Sequence, residues 1–410
     1  MTAAPTSFLE RIREDARQRF SELGFPTTHN EDWRFTSVAP IARAKFVPGG
    51  PADGWSMDPN RGPGYALCFY NGHYLPEAST LPRGVEITSL AKVLRSEPEA
   101  VQPYLARYAK YDNHAFVALN TASMEDGAFV RIAKDVVVDA PIYLTFVSMP
   151  GSEPTVSHPR NLILAGPNSQ ATIVETYLGG GDQAYFTNAV TELAAGDNTA
   201  IDHYKLQTEG EQAFHVATLQ VQLGRDTNFS SHSISFGGAL VRNDVNAVLS
   251  EGSECTLNGL YLVNGEQHID NHTTIDHAKP HGASHELYKG ILDGKSSAVF
   301  SGKILVRKDA QKTDAKQTNK NLVLSEEAVI NTKPELQIHA DDVRCTHGAT
   351  IGQLDAEGIF YLQSRGIGLA DARNLLITAF ARDIVDRIKV QPLREQLEQM
   401  LLEKLHGTRP

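Results

Sequence analysis

Only three cysteines, Cys68, Cys255 and Cys345, occur in 410 residues, and no two form a CxxC pair. That odd, scattered count speaks against a disulfide framework, a structural zinc site, or a cluster held by this chain's thiolates alone. Long apolar runs are missing as well. The N-terminus, MTAAPTSFLERIREDARQRF, turns charged at once without an apolar signal core, and no later stretch is long enough to span a bilayer. A cytoplasmic protein without membrane contact is therefore expected. Positive charge is scarce: the net charge is −11, and no basic stripe interleaved with aromatics is present, so nucleic acid is a poor partner. What is there, 41% hydrophobic and 21% charged residues, is an ordinary globular composition, long enough for a large core and two or three structural units.

Residues Ser7 to Leu23 carry Phe8, Ile12, Ala16, Phe20 and Leu23 at helical spacing, closed by Gly24 and Pro26. The next segment, GFPTTHNEDWRFT, offers Trp33 and Phe35 as anchors for a loop. Val47 to Asn60, rich in glycine and proline, reads as an irregular connection, followed by a short strand at Tyr65 to Tyr70. Helical patterns return at Ser89 to Leu94 and Gln102 to Tyr108, which makes residues 1–115 a mainly helical N-terminal domain. From Phe116 the texture changes. Short β-branched and aromatic runs alternate with Gly, Asn, Asp and Ser across 116–355, as in LILAGPNSQATIV, TELAAGDNTAIDHY, AVLSEGSECTLNG and GILDGKSSAVFSG. Recurrence near thirty residues fits a β-solenoid, although a sandwich or barrel produces the same local pattern. The absence of helical crossovers argues against a doubly wound α/β sheet. Residues 356–410 return to helical period, with a stripe from Leu369 to Ile388 and a second helix beginning at Pro392. Such helices either cap a solenoid or dock a partner.

Three groups of residues invite a chemical reading. His268, His272, His277, His281 and His285 are the densest histidine group, yet the threonines and Pro280-His281-Gly282 around them favour strands and turns over a helix-borne zinc motif. Asp270, Asp276 and Glu286 among them serve equally as structural partners. Lys308, Lys312, Lys316 and Lys320 read as a solvated face or an exposed loop rather than a phosphate site. The third group is the sharpest: in RCTHGATIG, Cys345 and His347 flank Thr346, so on a strand they share one face. A soft sulfur beside an imidazole suits a transition metal or an iron-sulfur species, and a buried cysteine next to a surface histidine is the plain alternative.

Four segments, GFPTTHNEDWRFT, GGALVRNDVNAVLSEGSECTLNGLYL, DNHTTIDHAKPHGASHELYKGILDGKSSAVFSGKI and RCTHGATIGQLDAEGIFYLQSRGI running into ADARNLLITAF, together resemble the SufB/SufD family of the Suf iron-sulfur cluster assembly scaffold, in that family's order. The likeness is to the SufD branch, because Gly348 stands where SufB-like chains carry glutamate and Gln317 to Leu324 lacks their upstream cysteine. The resemblance implies a mainly β fold, a right-handed parallel β-helix core with N-terminal and C-terminal helical domains. It implies a non-catalytic scaffold subunit that pairs with SufB through the β-helix and docks the ATPase SufC, or forms a homodimer when expressed alone. His347 and Cys345 match the family positions at the transient, shared iron-sulfur cluster, with no permanently bound cofactor in the isolated chain. The ATPase-docking surface corresponds to Arg365, Ala372, Leu376, Ala379, Phe380, Asp383 and Ile384, with Asp383 standing where glutamate is expected. Two other readings are a β-helix carbohydrate-active enzyme using Asp270, Asp276 and Glu286, and a cupin-like metal-dependent oxygenase using the His268 to His285 group.

Overall fold

The computed structural model describes residues 7–51, 63–76 and 82–407, so most of the expected connection Val47 to Asn60 lies outside them. Two long sheets form the core, and the chain visits them alternately. One runs through the strands Arg160–Ala165, Tyr185–Ala195, Ala213–Leu223, Leu240–Leu249, His268–His277, Ser297–Val306 and Val329–Ile338. The other runs through Ile142–Ser148, Gln170–Gly179, Ala200–Thr208, Asn228–Ser235, Glu254–Val263, Ala283–Leu292, Asp314–Val323 and Arg344–Gly352. Each coil gives one strand to each sheet and every core pairing is parallel, which makes a mainly β protein with a parallel β-solenoid of about eight coils. Tyr185 pairs with Ala213, Leu240 with His268 and Ser297 with Val329, steps of 28, 28 and 32 residues. Sandwich and barrel are thereby excluded.

Alternation along each strand sets the layers. Ala189, Leu193, Ala217, Leu219, Val245, Leu257, Ile275, Tyr288 and Phe300 point into a shared lumen and form one continuous core. The recurring small-residue turns have a backbone cause. Asp135, Asn168, Asn198, Asp226, Gly252, His281 and Lys312 occupy the same place in successive coils, all with positive φ between 53 and 67°. In that left-handed conformation each N–H reaches the next coil: Asn198 N donates to Arg225 O at 2.7 Å and Gly252 N to Pro280 O at 3.1 Å. Asparagine, aspartate and glycine tolerate it best. Asn198 also donates to the Asn168 side chain at 2.9 Å, and Asn168 to Asp135 at 2.6 Å. His281 is therefore a turn residue.

The outer faces are covered by the terminal regions. Helix Phe8–Leu23 starts with a Ser7–Glu10 capping box, ends at Gly24 with φ 64°, and packs Phe8, Leu9 and Ile12 with Leu90, Val93 and Leu105 over Phe129, Leu162 and Leu164. Trp33 joins a second apolar patch with Phe116, Phe186, Val216 and Leu240, and Arg242 lies over its ring at 4.1 Å. Phe35, by contrast, is 47% exposed. Residues Gln102 to Tyr108 do not form the expected helix: after a short helix Pro98–Val101 the chain turns, with Ala106 at φ 57°. The reason is the buried Glu192 carboxylate, which accepts the N–H groups of Ala106, Tyr108 and Ala109. The change to β texture at Phe116 is also displaced. A helix spans Ala115–Ser123, and strands begin earlier, with Tyr65–Tyr70 already paired in parallel to Ile142–Ser148.

The C-terminal helices Leu369–Val385 and Gln391–Gly407 do not cap the solenoid end. They lie along the outer face of the second sheet, where Ile377, Ala381, Ile384, Val385, Leu397 and Leu401 cover Tyr204, Leu206, Ile234, Leu260 and Ile291. Lys389 Nζ pairs with Asp202 at 2.9 Å, and Lys289 Nζ reaches both Phe380 O at 2.8 Å and Asp383 at 3.0 Å. Among the described residues no strand pairs beyond the last coil, whose Lys333 meets Glu31 of the N-terminal segment at 2.8 Å. Among the described residues no helix is long and apolar enough to cross a membrane.

Candidate functional site

The last coil is where the sequence concentrates its chemistry. Among the described residues the final strands of the two sheets, Val329–Ile338 and Arg344–Gly352, each have a neighbour on one side only. Along the first, Pro334 interrupts the row of N–H donors, a common way of blunting an edge. The second has no proline. Its Gly348 and Gly352 have open space where a Cβ would stand, so another backbone has room to approach.

Register decides which way its side chains point. Cys345 pairs with Ala315, His347 with Gln317, Ala349 with Asn319 and Ile351 with Asn321. Ala315, Gln317, Asn319 and Asn321 are buried in the lumen, so the four residues above them carry that lumen to the end of the protein, where no further coil covers them. The shared face expected for Cys345 and His347 is thus the lumen face. His347 and Ile351 are exposed, Ile351 by 55%, while Cys345 is half-buried beside Val343, Ala340 and Ala315. Burial first, then the Asp314 carboxylate, push the Cys345 thiol up, and the Ala315 N–H offsets part of this. At neutral pH the thiol keeps its proton, so Cys345 is no activated nucleophile; thiolate ligation requires an incoming metal to displace that proton. Exposed Val329 and Ile338 extend the apolar rim. Sequence reading missed this rim, although alternation through Ile330, Leu336 and Ile351 with no strand to follow was the available clue.

The second set of residues lies apart. After three intervening residues beyond Gly352 the helix Ala356–Ser364 begins, capped by Asp355 and without a buried residue; Phe360 is 74% and Tyr361 57% exposed. Arg365 stands at its end with its guanidinium 5.2 Å from the Tyr361 ring. Further along, Leu376 and Phe380 are half-buried and Ala379 and Asp383 exposed, whereas Ala372 and Ile384 are wholly buried and reach no surface. Asp383 is held by Lys289 and Arg387, which together outweigh burial and lower its carboxyl below the ordinary range. Of the residues assigned to docking, Arg365, Leu376, Ala379, Phe380 and Asp383 are accessible, and Ala372 and Ile384 support them from beneath.

The histidine group disperses. His268 bonds Thr36 and Ser297, His272 pairs with Asp270 at 3.0 Å, His277 is buried against Ser284, and His281 and His285 face solvent. Asp270 is engaged by Arg242 and Thr36 at 2.6 Å each, so its carboxyl falls well below the usual range although burial alone would raise it. Asp276 is taken by Arg307, and Glu286 points into the lumen toward Gln317. Asp270, Asp276 and Glu286 are thus engaged separately, each by its own partners. Among the described residues no group of three His, Cys, Asp or Glu side chains is arranged to hold a metal.

Comparison with known proteins agrees with this geometry over almost the whole chain. Residues 147–380 match the SufBD core domain of the SUF system for iron-sulfur cluster assembly, and residues 63–144 match the SufBD N-terminal region. An iron-sulfur cluster assembly SufBD family protein of Synechocystis is 37% identical over 96% of this chain and 90% of its own length. The iron-sulfur cluster assembly protein SufD of Escherichia coli is 30% identical over 95% and 92%, and SufD of Bacillus subtilis 26% over 79% and 74%. The chain belongs to the SufBD family of iron-sulfur cluster assembly proteins, as a SufD-type subunit.

Proposed function

We propose that this chain is a non-catalytic scaffold subunit whose last coil is completed by the corresponding coil of a SufB-type partner, with the nascent iron-sulfur cluster built in the seam. The observation that carries the reading is the position of His347: a metal-binding imidazole on a lumen face that ends in solvent beside an unpaired parallel edge. An edge of this kind pairs by strand addition, and the exposed Ile351, Val329 and Ile338 supply apolar area to bury. The cluster is cargo. His347 offers a neutral nitrogen to iron, Cys345 a sulfur once deprotonated, and the partner provides the remaining ligands.

The helices after Gly352 are the handle for a SufC-type ATPase. Phe360, Tyr361, Arg365 and the accessible part of Leu376 to Asp383 form the docking surface. Only three residues separate the strand bearing His347 from the helix bearing Phe360, so a pull on that helix is delivered to the seam. Two ATPase copies drawn together by ATP, one on each scaffold subunit, would open it to iron and sulfur. His347→Ala tests the reading in the complex co-expressed with SufB-type and SufC-type chains. The complex should co-purify unchanged and cluster formation should be lost; an unchanged cluster yield removes His347 from the mechanism, and failure of the wild type to co-purify removes the partnership.

A further inference from the structure

On the outer face of the second sheet the C-terminal helices reach Lys289, and next to it the last two strands of that sheet present an unbalanced set of charges to solvent. Lys289 pairs in register with Lys320, His285 with Lys316, and Asp314 with Arg344. Because Ala315, Gln317 and Asn319 are buried in the lumen, Lys316 and Lys320 point outward, as does Arg344 above Asp314. His285, Lys316, Lys320 and Arg344 are all exposed. Along the outward positions of Ala283–Leu292, Asp314–Val323 and Arg344–Gly352, Asp314 is the one carboxylate against Lys289, Lys316, Lys320 and Arg344. Other outward cations on the last coils are matched: Lys289 with Asp383 at 3.0 Å, Lys333 with Glu31 at 2.8 Å and Lys303 with Glu335 at 3.8 Å. Among the described residues Lys316, Lys320 and Arg344 form no ion pair. Burial lowers the Lys289 ammonium, Asp383 opposes this, and Lys320 adds to it, so cations on this face are close enough to repel one another. Lysines on an edge strand guard it against aggregation. Lys316 and Lys320, however, stand on a strand that is paired on both sides and needs no guard.

We propose that Lys316, Lys320 and Arg344 form a docking face for an acidic polypeptide segment of a protein that exchanges cargo with the open end. Lys316 and Lys320 stand ~13 Å apart along their strand, and Arg344 lies on the next strand, ~4.8 Å across the sheet. A single phosphate or carboxylate does not bridge such spacing, and N–H groups spent in the sheet ladder make no anion nest. A row of Asp and Glu side chains does bridge it. Thr318, Thr346, Gly348 and Thr350 keep the surface low between the cations, so the backbone of that segment has room to lie close. The net charge of −11 repels a long polyanion such as nucleic acid or an anionic membrane, whereas a short segment senses mainly the charges within a Debye length of ~8 Å. Arg344 and His347 share one strand, which puts the docked segment beside the seam. The link to cargo rests on the role proposed for the open end, and the docking itself is measurable on this chain alone.

The experiment is fluorescence anisotropy of a fluorescein-labelled decaglutamate peptide titrated with the full chain at low ionic strength. The wild type should bind it, and the triple variant Lys316→Gln, Lys320→Gln, Arg344→Gln should bind about tenfold more weakly, the equivalent of ~1.4 kcal/mol shared by three exposed charge pairs. A second triple variant, Lys45→Gln, Lys92→Gln, Lys110→Gln, removes the same charge from exposed positions elsewhere and should change binding by less than about twofold. Absence of binding by the wild type overturns the proposal, and so does equal weakening in both triple variants, which would mean that the peptide reads net charge. A short DNA duplex and vesicles containing anionic lipid should bind more weakly than the peptide. Tighter binding of either, lost in the first triple variant, would assign the face to another class of partner and overturn the acidic polypeptide. If the first triple variant fails to fold, the double variant Lys316→Gln, Lys320→Gln decides, with about a fivefold loss expected. No SufB-type partner or cluster enters the measurement, so its failure is separate from failure of the His347→Ala assembly assay.

Discussion

The two ends of the solenoid solve the same problem in opposite ways. At the N-terminal end each sheet finishes in a short antiparallel strand, Val85–Ser89 on Ala128–Ile132 and His73–Leu75 on Tyr65–Tyr70, with helices packed over the outer face. At the C-terminal end both sheets finish in full-length parallel strands with no further strand among the described residues. The buried polar groups follow the same division. Near the closed end Glu192 receives Arg160 at 2.6 Å and three backbone N–H groups, and Arg160 also bonds Asn120 and Thr121. Near the open end Glu286 is approached by Thr273 and Gln317 and by no charged partner among the described residues, and Gln317 Oε1 accepts no hydrogen bond. The first arrangement is met by the chain's own groups; under the proposed function the second is completed from outside, the expected difference between a structural terminus and an interface.

Mutations at the closed end should therefore cost stability, and those at the open end association. The largest effect is expected for Arg160→Met, which leaves Glu192 charged and buried without its partner; urea unfolding should show a loss of about 3–5 kcal/mol. A small loss would mean that the three N–H groups alone hold Glu192. The open-end counterpart is a pH effect. Glu286 keeps its proton in the folded chain up to about 7 but releases it near the ordinary carboxyl value when unfolded. Between those limits the folded state binds more protons, so this residue's contribution to stability falls as pH rises. Buried His158, His232 and His277, each lowered to about 4, act in the opposite sense, losing stability as pH falls below 6.5. Comparison with Glu286→Gln isolates the carboxyl: relative to that variant the wild type should lose up to about 3 kcal/mol between pH 5 and pH 8. A constant difference would mean that Glu286 is not a buried neutral acid. Next comes Ile351→Asp, which should leave unfolding nearly unchanged but weaken association with a SufB-type partner by about thirtyfold, the loss of one ~2 kcal/mol anchor. Equal loss of folding stability would place Ile351 in the chain's own core.

Much of this division was legible in the sequence. Alternation and the thirty-residue recurrence are direct consequences of coils that stack in register, and Cys345 and His347 could be put on one face by spacing alone. Which face was not legible, because strand alternation fixes sides only relative to each other; the pairing of His347 with Gln317 settles it. The turns at Gln102 to Tyr108 were hidden because their cause, Glu192, lies more than eighty residues away. Phe35 and Trp33 looked equivalent by hydrophobicity, yet only Trp33 meets Arg242. Ala372 and Ile384 were grouped with surface residues because a helical stripe marks a buried face without saying what buries it. The sheet supplies that answer.

Lys312 gives the finest comparison of the two ends. With Lys308, Lys316 and Lys320 it reads as a solvated face or exposed loop, and all four are exposed, Lys308 and Lys312 in turns and Lys316 and Lys320 on a strand; Lys312 itself has φ 65°. It occupies the left-handed place that Asn168, Asn198, Asp226 and Gly252 fill in earlier coils, and its N–H donates to Asp342 O at 2.7 Å just as theirs cross to the next coil. A lysine pays more than asparagine or glycine for that backbone, by ~1 kcal/mol. Its ion pair with Asp342 is exposed and adds little in return. Lys312→Asn should therefore stabilise the chain by about 0.5–1 kcal/mol in urea unfolding, whereas Asn198→Lys, the reverse change in a closed coil, should destabilise it by at least as much because it also removes the bond to Asn168. If Lys312→Asn is neutral or destabilising, the lysine is held by something other than the turn. Its place on the last complete turn, beside the strand that carries His347, then makes the partner-facing edge the region in which to look for that contact.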